Sequence, residues 1–238
     1  MRSFLAALCM GIITVNGAFA QNNSGQEEKL QKKTVAKPAK DHFMFQLSHD
    51  RWSNVPDSVS LRNAGRGVGI YLLNDFPIKK SNFSFAAGIG VRFTNIYFNN
   101  QRMVLNSGTD KINFVNIDSS IYKGQKFVNT YLEAPLELRY FGNRLNRNKG
   151  FKLAVGAKIG YQGVGGAFYR ERESVAGKYI NYKTVTKRYN QQWRLSPTIR
   201  MGWGNFSVFG EYTVTPIFDA ATGLDIRPFA MGIVISGL

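Results

Sequence analysis

The alternation that decides the fold is clearest in Phe83–Thr94, which reads FSFAAGIGVRFT. Every second residue of this stretch, starting from Phe83, is apolar, and the residues between are mostly small, polar or charged. A helix, with about 3.6 residues per turn, would scatter the two kinds of residue around its surface, whereas a strand places them on opposite faces. The stretch is therefore predicted to be a β-strand with one apolar and one polar face.

The same separation recurs along the chain and predicts an all-β protein of eight strands. The other seven segments begin near Phe43, Val68, Leu132, Phe151, Trp193, Phe206 and Phe229. None of their apolar rows carries a charged residue. Two different surroundings are implied, one for each face of the strands.

The polar face of this pattern is rich in glycine, which indicates a narrow interior. Seven glycines lie on it: Gly67, Gly69, Gly88, Gly90, Gly156, Gly160 and Gly232. An eight-stranded barrel is barely wide enough inside for side chains, so rows of Phe, Leu and Ile would overfill it. We therefore predict an eight-stranded antiparallel up-and-down transmembrane β-barrel, with apolar side chains facing lipid. A soluble lipocalin-like barrel, with the two faces reversed, is the alternative.

The composition of the 238 residues excludes several other classes of protein. A hydrophobic share of 44% with 13% aromatic residues is too high for a disordered basic chain, despite a net charge of +16. The single Cys excludes a disulfide scaffold and a cysteine-based zinc finger. After the N-terminal segment no apolar run is long enough for a transmembrane helix.

The N-terminal segment is predicted to direct export. Residues 1–20 combine Arg2, an apolar core and the small-x-small sequence Ala18-Phe19-Ala20, which is typical of a secretory signal peptide. A lipoprotein signal at Cys9 and a membrane anchor are the alternatives. Residues 21–40 contain five lysines and few large apolar residues, which predicts a flexible basic arm before a barrel of residues 41–238. The arm is either a spacer or a contact for a periplasmic partner.

The connections between the predicted strands alternate between short and long. The short ones are 77–82, 142–150 and 202–205, and the long ones are 53–66, 95–124, 170–187 and 215–225. Tight periplasmic turns and longer outer loops are typical of bacterial barrels, so we expect an outer-membrane location with both termini in the periplasm. The connection 95–124 is predicted to contain a hairpin, which leaves a ten-stranded barrel as an alternative.

Three stretches of the sequence carry a family resemblance. Tyr131–Tyr140 reads YLEAPLELRY, Gly156–Tyr161 reads GAKIGY, and Tyr212–Phe218 reads YTVTPIF. Together they resemble strands of the small bacterial outer-membrane β-barrel domain family, the PorT-like group. The resemblance implies an eight-stranded barrel in the outer membrane and implies no reaction. A role as a secretion accessory rests on this analogy alone.

Charged residues on the polar face are predicted to form an ion-pair network in the lumen. Burying a charge without a partner costs about 3 kcal/mol or more, so these side chains are expected to pair with one another. The predicted members are Asp50, Arg92, Glu133, Glu137, Arg139, Lys152, Lys158, Arg194, Arg200 and Glu211. A narrow anion path or a small anion site is the alternative interpretation.

The sequence contains few residues of the kinds that form catalytic sites. The two histidines are His42 and His49, and Asp50 follows His49 on the opposite face of the same predicted strand. No cluster of residues has the spacing of a metal site, so we expect neither a catalytic residue nor a cofactor. A lipid-modifying outer-membrane enzyme is the least favoured alternative.

The outer connections are basic and are expected to meet anions. Because the chain is exported, the phosphates of outer-membrane lipids and lipopolysaccharide are favoured over nucleic acid. The residues predicted for this contact are Arg170, Arg172, Lys178, Lys183, Lys187 and Arg188. The sequence as a whole predicts a non-enzymatic envelope protein with a structural or interaction role, with a narrow solute pore as the alternative.

Overall fold

The computed structural model describes residues 42–79, 81–105, 108–118, 120–172 and 179–237. The predicted signal peptide and basic arm lie outside this part of the chain. None of the described residues belongs to a helix that is long and apolar enough to cross a bilayer.

Eleven strands lie in the described residues. They are β1 (Phe43–Ser53), β2 (Arg66–Pro77), β3 (Phe83–Tyr97), β4 (Gln101–Val104), β5 (Asn113–Asn116), β6 (Tyr122–Phe141), β7 (Phe151–Arg172), β8 (Tyr179–Val185), β9 (Trp193–Trp203), β10 (Phe206–Tyr212) and β11 (Arg227–Ser236). A short 3₁₀ helix spans Ala220–Thr222 before the last strand.

Eight of these strands form a closed antiparallel barrel. Their order is β6, β3, β2, β1, β11, β10, β9 and β7, and β7 pairs with β6 to close the circle. The first and last strands are joined along a seam that runs from Met44 opposite Ser236 to Ser53 opposite Arg227. Because β4 and β5 form a separate two-stranded hairpin, the eight-stranded prediction is confirmed and the ten-stranded alternative is wrong.

The two faces of the wall carry different side chains, as the period of two predicted. Large apolar side chains such as Leu72 and Ile89 are 62% and 55% exposed on the outer face. Charged and polar side chains point inward and are buried. A surface of this kind is stable in the hydrocarbon of a membrane and unfavourable in water.

Connection lengths define the two ends of the barrel. The turn end carries the three short connections, which are residues 78–82, 142–150 and 204–205. The loop end carries the four long connections, which are residues 54–65, 98–121, 173–192 and 213–226 and contain β4, β5 and β8. The hairpin predicted in the second long connection is confirmed, and β8 pairs with the outer part of β7.

Two prolines sit inside barrel strands, where each lacks a backbone N–H for the ladder. Pro135 of β6 pairs with Lys158 of β7, but on its other side the pairing with β3 lapses between Ala87 and Gly90. Pro197 of β9 pairs with Ala157 of β7. On its other side, the ladder between β9 and β10 runs from Trp203 to Thr198 and stops one residue before Pro197. Both prolines thus lie where one neighbouring ladder is interrupted or ends.

Candidate functional site

The interior of the barrel holds all the charged residues that the sequence placed there. None of these ten side chains belongs to a residue more than 5% exposed. They are Asp50, Arg92, Glu133, Glu137, Arg139, Lys152, Lys158, Arg194, Arg200 and Glu211. The alternation along six strands explains this placement, because each of these residues lies at an alternate position whose side chain points inward.

Six of these residues form a central cluster, which we define as Asp50, Arg92, Glu133, Lys158, Arg194 and Glu211. Glu211 lies at its centre and contacts three cations. Its Oε2 is 2.8 Å from Lys158 Nζ and 3.4 Å from Arg92 Nη1, and its Oε1 accepts a hydrogen bond from Arg194 Nη2. With three acids and three bases, the central cluster is balanced in charge.

The other two acids of the central cluster complete the pairing. Asp50 Oδ1 accepts hydrogen bonds from Arg92 Nη2 at 2.8 Å and from Ser48 Oγ at 2.7 Å. Glu133 lies 3.4 Å from Arg194 Nη1 and 3.9 Å from Lys158 Nζ. Charge-assisted hydrogen bonds of this kind offset much of the cost of removing the ions from water.

Tyr71 joins the central cluster, and the sequence did not predict it there. Its hydroxyl donates a hydrogen bond to Glu133 Oε2 at 2.6 Å and accepts one from Lys158 Nζ at 3.1 Å. A side chain added at Gly69 or Gly90 would run into the Tyr71 ring, so these glycines make the room that it fills. The parity of β2 could have identified Tyr71, because it shares the inward face with Gly67 and Gly69.

A second group of ion pairs forms the turn-end cluster, which we define as Asp75, Glu137, Arg139, Arg147 and Arg200. Glu137 Oε2 accepts hydrogen bonds from Arg139 Nε at 2.8 Å and from Arg200 Nη2 at 2.9 Å. Asp75 is paired with Arg139 at 3.5 Å and with Arg147 at 3.4 Å. Arg147 was not predicted from the sequence, because it lies in the turn between β6 and β7 and a turn has no alternating pattern that shows where its side chains point.

An apolar cluster covers the loop end of the lumen, and we call it the loop-end cluster. Its buried members are Trp52, Val59, Ile96, Phe98, Met103, Leu105, Ile112, Phe127, Tyr189, Ile217, Phe218 and Ile226. The Trp52 ring packs edge-on against Phe98, Phe127 and Phe218 at centroid distances of 5.9, 5.7 and 5.7 Å. Each of the four long connections contributes at least one side chain, so the loops share one core.

The loop-end cluster lies directly on the central cluster. A cavity of about 10 Å³ between them is lined by Asp50, Arg92 and Arg194 on one side and by Trp52 and Ile217 on the other. A cavity of this size has room for about one water molecule. The lumen is therefore packed at this level.

Hydrogen bonds also tie the long connections to one another. The Gln101 side chain accepts a hydrogen bond from the Ser60 N–H at 2.6 Å and donates one to Ser58 O at 2.8 Å. The Tyr189 hydroxyl donates one to Thr109 O at 3.0 Å. These contacts join the first long connection to the second and the second to the third.

The basic residues predicted to contact lipopolysaccharide lie in the third long connection or in the strands beside it. Arg170 and Arg172 belong to the outer part of β7, Lys183 is exposed in β8, and Lys187 and Arg188 are exposed between β8 and β9. Lys178 lies outside the described residues. Arg188 pairs with Asp110 at 2.8 Å, a partner that the sequence did not reveal, and this hydrogen bond raises the pKa of Arg188.

The histidines do not combine into a catalytic arrangement. Asp50 is buried in the lumen, and its neighbour His49 has the opposite parity on β1. His42 Nδ1 lies 3.1 Å from Leu73 O, in the pairing of the β1 end with β2. Among the described side chains, no group of three or more His, Cys, Asp and Glu is arranged to hold a metal ion.

The closed barrel, the apolar outer face and the charged interior together identify the class of protein. The chain is an eight-stranded transmembrane β-barrel. No family model matches the sequence, so its resemblance to the PorT-like group stays a prediction. No curated protein matches it either.

Solved structures that the chain is similar to include Ail, the attachment invasion locus protein of Yersinia pestis. The sequence of Ail is 12% identical to the chain. The superposition covers 81% of the chain and 95% of Ail, with a TM-score of 0.36. A second structure of Ail, in complex with the heparin analogue sucrose octasulfate, is 10% identical over the same shares, with a TM-score of 0.31.

Proposed function

We propose that this protein is a non-enzymatic, non-conducting barrel of the bacterial outer membrane whose loop end makes contacts in the cell envelope. The observation that carries the proposal is the filling of the lumen: ion-paired side chains occupy the interior and the loop-end cluster covers it. A hydrated path for solutes needs continuous space, whereas the cavity at the junction of the two clusters is about 10 Å³. The contribution of the barrel is then a rigid platform in the membrane.

The outer-membrane location is supported by the span of the apolar band. About ten residues of strand, rising about 3.3 Å each and tilted by about 45°, cover roughly 23 Å, which matches the outer-membrane hydrocarbon. The predicted signal peptide accounts for export, and the alternation of turn lengths supports termini in the periplasm.

Conductance in a planar lipid bilayer tests the closed lumen. We expect no stable single-channel steps from the purified wild-type barrel. Arg200→Glu reverses a lumenal charge, and Lys187→Glu, on an exposed loop residue, is its matched control. Steps in the wild type that Arg200→Glu abolishes and Lys187→Glu retains would contradict the proposal.

The loops are the proposed contact surface because the loop-end cluster and hydrogen bonds join them and because they carry exposed positive charge. Lys183, Lys187 and Arg188 lie close together in sequence at the exposed loop end. Phosphate groups of lipopolysaccharide fit this surface through Coulombic attraction, which added salt screens. The same surface is the expected contact for an anionic partner among surface proteins or glycans.

Retention of the refolded protein on immobilised lipopolysaccharide tests this contact. A variant with Lys183→Glu and Lys187→Glu is expected to lose salt-sensitive retention. Its matched control carries Lys79→Glu and Lys149→Glu, which change exposed charges in two of the short turns at the opposite end. Equal retention of the two variants would refute the proposed contact.

A further inference from the structure

A small cavity near the turn end of the lumen is lined by cations. It measures about 10 Å³, and its lining includes Arg139 of β6, Lys152 of β7, Arg200 of β9 and Ser207 of β10. All four residues are at least nine-tenths buried. Three positively charged side chains therefore face a space for one water-sized particle, deep enough to limit screening by solvent.

Two of the lining residues, Arg139 and Ser207, each have a buried hydrogen-bonding atom without a protein partner. These atoms are Nη2 of Arg139 and Oγ of Ser207. Arg139 uses its Nε on Glu137 and its Nη1 faces Asp75 at 3.5 Å, which leaves Nη2 for another acceptor. Buried polar atoms in native proteins nearly always have a partner, so these two atoms indicate an occupant of the cavity.

The chemistry of the lining decides which occupant fits. Arginine and lysine side chains donate hydrogen bonds and accept none, and only the Ser207 hydroxyl can do both. A water molecule would bring two O–H donors to a lining whose side chains offer one acceptor. A monatomic anion accepts from every donor and carries the charge complementary to the three cations.

We propose that this cavity is a binding site for a single halide ion, with chloride the expected occupant. Arg139 Nη2 and Ser207 Oγ donate to the ion, and Lys152 and Arg200 add to the positive potential around it. The ion fastens β6 to β10 across the lumen. The inference is independent of the contacts proposed for the loop end, because it concerns the other end of the barrel.

Crystals of the refolded barrel grown in sodium bromide test the site directly. An anomalous difference peak between Arg139 and Ser207 is expected for wild-type protein and for a Ser196→Ala control, which loses a different buried lumenal hydroxyl. The peak is expected to weaken or vanish in Ser207→Ala. A wild-type cavity without anomalous signal would overturn the proposal.

Unfolding in detergent micelles at constant ionic strength supplies the second readout. Because the ion binds only the folded barrel, chloride at ten times its dissociation constant is expected to raise the folded-to-unfolded ratio about tenfold over gluconate, which is too large for the cavity. Ser207→Ala is expected to lose most of this difference and Ser196→Ala to retain it. Arg139→Met removes the main donor, but the Ser207 comparison decides the question even if that variant fails to fold. Equal stability of the wild type in both salts would refute the site.

Discussion

The central cluster and the loop-end cluster lie against each other but consist of opposite kinds of side chain, charged in the first and apolar in the second. The central cluster is made of ionised side chains, and Arg92 and Glu133 within it are each only 1% exposed. The loop-end cluster, one layer away, is a core of aromatic and aliphatic side chains centred on Trp52. Within the bilayer the apolar residues face outward, and beyond it they face inward.

This difference shows that the surroundings of the wall, rather than the barrel itself, determine what fills it. Inside the membrane, lipid takes up the apolar rows, so the narrow lumen receives the polar rows and must pair them. Beyond the membrane, water surrounds the loops, and the ordinary hydrophobic effect gathers their apolar side chains. The two clusters should therefore respond differently to substitution.

The largest effect is expected from Glu211→Gln in the central cluster. Removing this charge leaves Arg92, Lys158 and Arg194 facing only two carboxylates in a buried space. Breaking such a network costs about 3–5 kcal/mol, and the barrel should unfold at a much lower urea concentration. Tryptophan fluorescence of protein refolded into phospholipid vesicles measures the midpoint.

Asp225→Asn is the matched control for this charge removal. Asp225 pairs with Arg227 at 2.9 Å, but the Asp225 side chain is 56% exposed and that of Arg227 is 34% exposed. Surface pairs of this kind contribute little, so the urea midpoint should stay at the wild-type value. Equal midpoints for Glu211→Gln and Asp225→Asn would show that the lumenal network does not stabilise the barrel.

A smaller and more local effect is expected from Trp52→Ala in the loop-end cluster. The change removes the ring that contacts Phe98, Phe127 and Phe218 and should cost about 3 kcal/mol within that cluster. Limited proteolysis of the membrane-inserted protein should then cleave the long connections faster while the barrel stays intact. Trp203→Ala, at a position 71% exposed, is the control and should leave the cleavage pattern unchanged. Loss of the whole barrel in Trp52→Ala would contradict the separation of the two regions.

The smallest effect is expected from acid at Asp118, outside both clusters. Its Oδ1 accepts a hydrogen bond from the Ser120 N–H at 2.8 Å, which lowers the pKa of Asp118 from its ordinary value of 3.8. This contribution to the turn is present above that ordinary value and is lost as the pH falls through the lowered pKa. The amide NMR shift of Ser120 should follow the transition. Asp118→Asn keeps an acceptor but does not titrate, so the same acid transition in that variant would refute the assignment.

The barrel was predictable because its signal repeats. In each strand, as in Phe83–Thr94, the alternation of apolar and polar residues shows which side chains share a face. Closure of the sheet into a barrel then follows from the strand count and the narrow lumen. The inward orientation of Arg92 could be predicted from its place in the alternation of β3 alone. The pairing of Arg92 with Asp50 and Glu211 could not be read in the same way, because it depends on the stagger between neighbouring strands.

The loop-end cluster was not predictable from this sequence. Val59, Met103 and Phe218 lie in three different connections and follow no common period. Their meeting is a consequence of the barrel, which brings the ends of four hairpins to one rim. Arg147 was missed for the same reason, since a turn that folds over the mouth is specified by its fit to the barrel and by its contacts with Asp75 and Phe83 O.

The seam between β1 and β11 has a consequence for assembly. Most ladders of the barrel join consecutive hairpin strands, as in β6 with β7 or β9 with β10. The seam instead joins Met44 to Ser236, which are separated in sequence by nearly the full length of the domain. The entropic cost of closing the loop between them is therefore the largest of any ladder in the barrel. We therefore expect the hairpin ladders to form before the seam, and until β11 pairs with β1 the sheet has two unpaired edges.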